Sequence, residues 1–109
     1  MTINTADHLR DANPWRAEPD PIKLAILGKL SEELGELMAA VSRCIIQGVD
    51  GAHPVTGKPN TEWLWEETID VQNMMIFLRR VAVEPDAHMW ITRMERKRAH
   101  IDQWLAAIK

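Results

Sequence analysis

Apolar residues recur at helical spacing along three stretches of this chain, and polar segments rich in glycine or proline separate the stretches. The first stretch begins at Asp20-Pro21, where aspartate suits the cap of a helix and proline suits its first position. Gly48 is a natural stop for the same helix. The apolar stripe between these points consists of Ile26, Leu27, Leu30, Leu34, Leu37, Val41 and Ile45. The pattern therefore predicts a helix of about 27 residues, roughly 40 Å long.

Two further helices are predicted beyond the glycine- and proline-rich loop of residues 48–60. Asn60 or Thr61 is expected to cap the second helix, which should run to about Val83. Its stripe consists of Leu64, Val71, Met75, Leu78 and Ala82. Asp86 is expected to cap the third helix, which should run close to the C-terminus. Its stripe consists of Trp90, Met94, Ile101, Leu105 and Ile108. The pattern as a whole predicts an all-α fold.

The length of 109 residues is that of a single domain. Residues 1–20 are expected to form an N-terminal arm, in which Thr5 caps a short helical turn through Arg10, and residues 21–109 a helical core. The apolar share of 46% and the charged share of 27% are typical of a globular protein.

Charge and cysteine content bear on the cellular location of the protein and on its binding partners. Cys44 is the only cysteine, so no disulfide can form within the chain, which fits a reduced, cytoplasmic location. The first residues lack the basic and apolar regions of a secretory signal. No apolar run approaches the roughly 20 residues of a membrane span, so no membrane is expected as a partner. The net charge of −3 argues against a nucleic acid polymer as the main partner.

Two matched acidic pairs lie beside the apolar stripes. Glu33 and Glu36 in the first helix, and Glu67 and Asp70 in the second, are each three residues apart and thus neighbours on one helix face. On a helical wheel both pairs fall about 60° and 120° from their stripe, on the same side. Two such helices side by side would bring four carboxylates together, repelling by roughly 4 kcal/mol per pair at about 4 Å. A divalent cation removes that repulsion, and oxygen ligands favour Mg²⁺, with Mn²⁺ as a substitute.

The acids form the pattern Glu-Glu-x-x-Glu, followed later by Glu-x-x-Asp, with Glu-Leu-Gly-Glu-Leu around the first set. This pattern resembles the MazG-like all-α nucleoside triphosphate pyrophosphohydrolases, a family that also includes dimeric dUTPases. The resemblance extends from about Pro21 to Val83. It implies a four-helix-type antiparallel bundle that assembles as a homodimer or as a dimer of dimers, a homotetramer. It also implies an active site near the subunit interface.

The resemblance further implies a hydrolase that acts on a phosphoanhydride bond. Water would attack the α-phosphorus of a nucleoside triphosphate and release a nucleoside monophosphate and pyrophosphate. Mg²⁺ would be held by the residues that match the family's ligands: Glu33, Glu36, Glu67 and Asp70. Catalytic roles would fall to Glu33 and to Glu32, which would bind a further metal or orient the attacking water. The loop Gly51–Asn60 looks like that of phage-type members that act on dATP and dGTP, which favours a purine deoxynucleotide.

Several other side chains are candidates for substrate contacts: Lys29, Asn73, Arg93 and Lys97. The two basic residues of the third helix flank its stripe and suit phosphate, although a solvated basic face is an equally good interpretation. The asparagine follows Asp70 by three and could bond a sugar or a metal-bound water, or be an ordinary surface amide. The helical tryptophans could stack on a base, but are more often core or interface residues: Trp63, Trp65, Trp90 and Trp104.

Other interpretations of the acids stay open at this point. Glu32, Glu33 and Glu36 could form a solvated helix face that pairs with Lys29 and Arg43. A di-iron carboxylate bundle is disfavoured, because that class uses Glu-x-x-His pairs and the chain has none. A non-catalytic helical dimer that binds nucleotides or another protein is the remaining alternative.

Overall fold

The computed structural model describes residues 14–108, and every regular element in this part of the chain is helical. Helix α1 spans Pro21–Gln47, α2 spans Asn60–Ile76, a 3₁₀ helix follows at Phe77–Arg80, and α3 spans Ala87–Ala107. The prediction of an all-α fold is confirmed for these residues. The short turn predicted between residues 5 and 10 lies outside the described range.

Helix α1 begins and ends where the sequence predicts. The Asp20 carboxylate accepts hydrogen bonds from the backbone N–H groups of Ile22 and Lys23, at 2.8 and 3.2 Å. At the other end Gly48 has a φ of 90°, a conformation that favours glycine, and its N–H donates to the Cys44 carbonyl. Both ends are therefore fixed by local chemistry that is visible in the sequence.

The second helix begins differently from the prediction. Pro59 occupies the cap position without a side-chain bond, and Asn60 is already helical, so the expected capping role of Asn60 or Thr61 is wrong. The buried Asn60 amide instead donates to the Gly48 carbonyl at 3.0 Å and to the Gln47 side chain at 3.3 Å. These bonds close the base of the loop.

The second helix also ends earlier than expected. The α-helical bonds stop at Ile76, and the 3₁₀ turn stops at Arg80 rather than near Val83. Pro85 disfavours helical backbone at the residue before it, which helps to keep this segment extended ahead of α3. Asp86 caps α3 as predicted, because its carboxylate accepts from the Met89 N–H at 2.8 Å.

Helices α1 and α2 pack side by side and run antiparallel, since Asn60 bonds the end of α1 whereas Met74 lines a cavity with Ile26. The residues of α1 that this packing buries are seven apart: Ile26, Glu33 and Ala40. Their immediate successors in the predicted stripe, Leu27, Leu34 and Val41, lie about 100° further round the helix and are exposed. The predicted stripe is therefore only partly buried, and an acid sits in the middle of the packed face.

Helix α3 projects away from this pair. None of its residues is buried, and within residues 14–108 its backbone stays apart from α1 and α2, although Trp90 lines a cavity with Met75 and Ile76 of α2. The radius of gyration is 20.6 Å, against about 13 Å for a compact chain of this length. A single chain thus leaves the apolar stripe of α3 uncovered over the described range. No helix in that range has the length and hydropathy that a membrane span requires.

Candidate metal centre

Three of the four predicted metal ligands meet where α1 and α2 pack. Glu33 of α1 and Glu67 and Asp70 of α2 each offer a carboxylate oxygen, and these atoms lie within 4.8 Å of one another. Glu33 faces α2 because it shares the packed side of α1 with Ile26 and Ala40. The spatial convergence predicted for these three side chains is therefore present.

Two oxygens of this cluster are buried without a hydrogen-bond partner: Glu33 Oε2 and Glu67 Oε2. Glu33 as a whole is only 9% exposed. A buried polar atom that lacks a partner costs about 1–3 kcal/mol, and more when it is charged. A cation among these oxygens would satisfy both atoms, and carboxylate oxygens are the donors that hard divalent cations such as Mg²⁺ bind. The residues present thus fit a divalent metal ion.

Glu36, the fourth predicted ligand, lies at the rim of the cluster. It is exposed and is not among the acids within 4.8 Å of one another. Its pKa is raised, mainly by the negative charge of Glu33, then by partial loss of hydration and by the charge of Glu67. The Glu36 carboxylate therefore lies close enough to Glu33 and Glu67 to interact with them electrostatically.

Lys29 lies one helical turn before Glu33 on α1 and contacts the cluster there. Its ammonium lies 3.3 Å from a carboxylate oxygen of Glu32 and 3.3 Å from Glu33 Oε1. Hydrogen bonds to Glu32 first, and then to Glu33, raise the pKa of Lys29. Lys29 therefore pairs with Glu32 and Glu33, as the surface-pairing interpretation expects for this residue, and its contact with substrate phosphate stays a prediction. Glu32 itself is exposed and stands outside the three-acid cluster.

A cavity of about 330 Å³ adjoins the cluster on the side of Glu36. Its walls are Glu36, Ala39, Ala40, Arg43, Trp63 and Glu67. The guanidinium carbon of Arg43 lies 4.2 Å from the centroid of the Trp63 ring, and the Lys58 ammonium lies 4.7 Å from it. Two nitrogen atoms here, Arg43 Nη1 and Trp63 Nε1, are buried without a hydrogen-bond partner.

Sequence reasoning did not assign a ligand contact to Arg43, although the spacing held a signal. Arg43 follows Glu36 by two helical turns, and Trp63 precedes Glu67 by one turn, so each shares a helix side with an acid that the sequence predicts as a metal ligand. The other half of the surface-pairing interpretation is not seen, since no acid within residues 14–108 forms an ion pair with Arg43.

Three predicted substrate contacts, Asn73, Arg93 and Lys97, are not part of the three-acid cluster. Asn73 is exposed one turn beyond Asp70. Arg93 and Lys97 are on α3, whose backbone stays apart from α1 and α2 in the described part of one chain. Their roles stay predictions. No protein-family model, curated protein or solved structure matches this chain, so the resemblance seen in the acidic pattern rests on its residues alone.

Proposed function

We propose that this chain is a Mg²⁺-dependent nucleoside triphosphate pyrophosphohydrolase, which cleaves a nucleoside or deoxynucleoside triphosphate to the monophosphate and pyrophosphate. The observation that carries the proposal is the meeting of Glu33, Glu67 and Asp70 within 4.8 Å, with two buried oxygens left without partners. Mutual repulsion makes such a cluster a poor device for stabilising a helix pair. It is better explained as a site built to hold a cation.

The reaction requires neutralised phosphate oxygens and an activated water. Mg²⁺, if held here, would supply both, by neutralising phosphoryl oxygens and by activating the attacking water. Glu33, Glu67 and Asp70 would hold the cation from the helix interface, and Glu36 would add a carboxylate from the rim. Glu32, exposed beside Lys29, orients the attacking water or binds a further cation.

The substrate we favour is a purine deoxynucleotide, dATP or dGTP, on the basis of the loop Gly51–Asn60. The structure supports a place for this loop beside the substrate. His53 accepts bonds from the Val55 and Thr56 N–H groups, and its ring stacks on Trp63 with a centroid distance of 6.5 Å. The loop is thereby held against one wall of the cavity that adjoins the acids.

We also propose that the chain works as a homodimer or a dimer of dimers. Its accessible surface is 9396 Å², against about 6,200 Å² for a compact monomer of this mass. The excess is comparable to the area of an obligate interface. Exposed apolar residues on α1 and along the stripe of α3 supply the surface for a second copy. In such an assembly, Arg93 and Lys97 of one chain could lie near the acidic cluster of the other chain.

The test is a product analysis. Each common NTP and dNTP is incubated with the protein and Mg²⁺, and the products are separated; we expect a monophosphate and pyrophosphate, with dATP or dGTP turned over fastest. Orthophosphate and a diphosphate as the only products would contradict the proposal. Glu36→Gln and Asp70→Asn should abolish turnover. The matched control is Glu84→Gln, an acid that pairs with Arg79 outside the cluster and should leave turnover intact.

Two results would favour the alternatives. Thermal stabilisation by dNTP and Mg²⁺ without turnover would favour a non-catalytic nucleotide-binding or protein-binding helical dimer. Bound iron in the purified protein would favour a di-iron carboxylate protein.

A further inference from the structure

The cavity beside the acids contains Arg43, a guanidinium that forms no ion pair in the described part of the chain. Arg43 is held against Trp63 by a cation–π contact of 4.2 Å, and within residues 14–108 it forms no ion pair. Its Nη1 is buried without a partner. Lys58, the other cation near the ring, is neutralised by Glu66 at 2.7 Å. Arg43 is thus the cation of this cavity that remains available for an anionic ligand.

The indole of Trp63 adds a second unused donor. Trp63 lines the same cavity, and its Nε1–H is buried without a hydrogen-bond partner. Guanidinium and indole groups can only donate hydrogen bonds, so a ligand that satisfies both must present acceptors. Phosphate oxygens are acceptors that also carry the negative charge which Arg43 lacks, and arginine matches phosphate geometry well.

The position of the cavity relates these donors to the acids. Glu36 and Glu67 line it, and Glu67 is also a member of the three-acid cluster. A phosphate chain with one phosphoryl group at the cluster can therefore extend along the helix pair towards Arg43. A base is a poorer occupant here, because the Trp63 ring on which it would stack is already contacted by two cations.

We propose that Arg43 and Trp63 form the subsite that binds the two terminal phosphates of the substrate, which leave as pyrophosphate. This inference rests on the proposed function. When water attacks, a new bond forms between its oxygen and the α-phosphorus, and the water loses a proton to solvent. The bond from the α-phosphorus to the bridging oxygen breaks, and its electron pair stays on pyrophosphate. Arg43 and the indole N–H then stabilise the negative charge that develops on the leaving group.

The inference is tested by binding of magnesium pyrophosphate, measured by titration calorimetry without any turnover. We expect Arg43→Gln to weaken binding by about tenfold or more, because it removes charge-assisted hydrogen bonds. Trp63→Phe keeps a ring under Arg43 and removes only the N–H, so we expect a loss of about two- to tenfold. The control Arg79→Gln removes a guanidinium that pairs with Glu84 outside this cavity, and should bind like the parent.

Each outcome has a distinct meaning. Pyrophosphate affinity within twofold of the parent in both Arg43→Gln and Trp63→Phe would overturn the inference, as would a parent protein that does not bind pyrophosphate at all. Arg43→Gln that weakens binding of deoxyguanosine but not of pyrophosphate would assign the cavity to the base and also overturn it. Failure to release monophosphate and pyrophosphate would count against the proposed function instead, while Arg43-dependent pyrophosphate binding would still support the subsite.

Discussion

Lys29 and Glu33, one helical turn apart on α1, form an ion pair of 3.3 Å that uses only one of the two carboxylate oxygens of Glu33. The other oxygen is buried and without a partner. The pair therefore leaves a half-satisfied carboxylate that points to a second cation. Glu33 therefore differs from an ordinary surface acid, whose oxygens are all open to water, and its unpaired oxygen is where the proposed Mg²⁺ would bind.

The first prediction concerns Lys29→Gln. Lysine and a bound metal ion compete for the same negative charge, so we expect removal of the lysine to raise Mg²⁺ affinity several-fold. Calorimetric titration with MgCl₂ measures this. If Lys29 instead contacts substrate phosphate, as the sequence suggested, Mg²⁺ affinity will be unchanged and the KM for dNTP will rise. Lys23→Gln, on the same helix, is the control.

The second prediction concerns Glu33→Gln. Glutamine is close in shape and uncharged, so it removes repulsion from Glu67 and Asp70 in the metal-free protein. In EDTA we expect the free energy of unfolding in urea to rise by about 1 kcal/mol, with helicity by circular dichroism unchanged. In MgCl₂ the order should reverse, because ligand binding stabilises the parent by about 2.7 kcal/mol at 100 times its dissociation constant. A variant that is less stable than the parent in EDTA would show that Glu33 has a structural role.

The third prediction concerns Gly51→Ala. A Cβ at this position would lie 2.7 Å from the Gln47 carbonyl oxygen and 3.0 Å from the Asn60 amide nitrogen, so the base of the loop must shift. We expect a loss of about 1–3 kcal/mol in the free energy of unfolding. Gly35→Ala is the matched control, because nothing lies within 4 Å of its new Cβ and it sits in the interior of α1. It should stabilise the protein by about 0.5–1 kcal/mol.

The fourth prediction concerns the exposed stripe of α3. A charge at its centre, as in Ile101→Glu, should prevent a second copy from packing there and reduce the mass in solution to that of one chain. Light scattering coupled to size-exclusion chromatography measures the mass. Thr92→Glu places the same charge about 180° away on the helix and should leave the assembly intact. A parent protein that is already a monomer would refute the proposed assembly.

Features with a local cause could be predicted from the sequence. Asp20, Pro21 and Gly48 set the ends of α1 by short-range bonds and backbone preference, and the spacing of three residues placed Glu67 and Asp70 on one side of α2. Both results depend only on helix geometry.

Features that depend on packing could not be predicted. Leu27 and Ile26 are adjacent and equally apolar, and only the approach of α2 decides which of them is buried. The same holds for Asn60, whose sequence position suits a cap but whose amide finds stronger partners at the end of α1. The pairing of Arg43 with Trp63 likewise appears only once the two helices meet.

The bonds of Asn60 to the end of α1 have a consequence for the loop above them. Together with the bridge between Ala52 and Pro59, these bonds hold the end of α1 close to the start of α2 at the base of the loop. The intervening residues other than His53 and Lys58, which contact Trp63, can then be exchanged while the register of the acids stays fixed. Grafting alternative loops between these anchor points would therefore test whether the loop sets the nucleotide preference of the proposed enzyme.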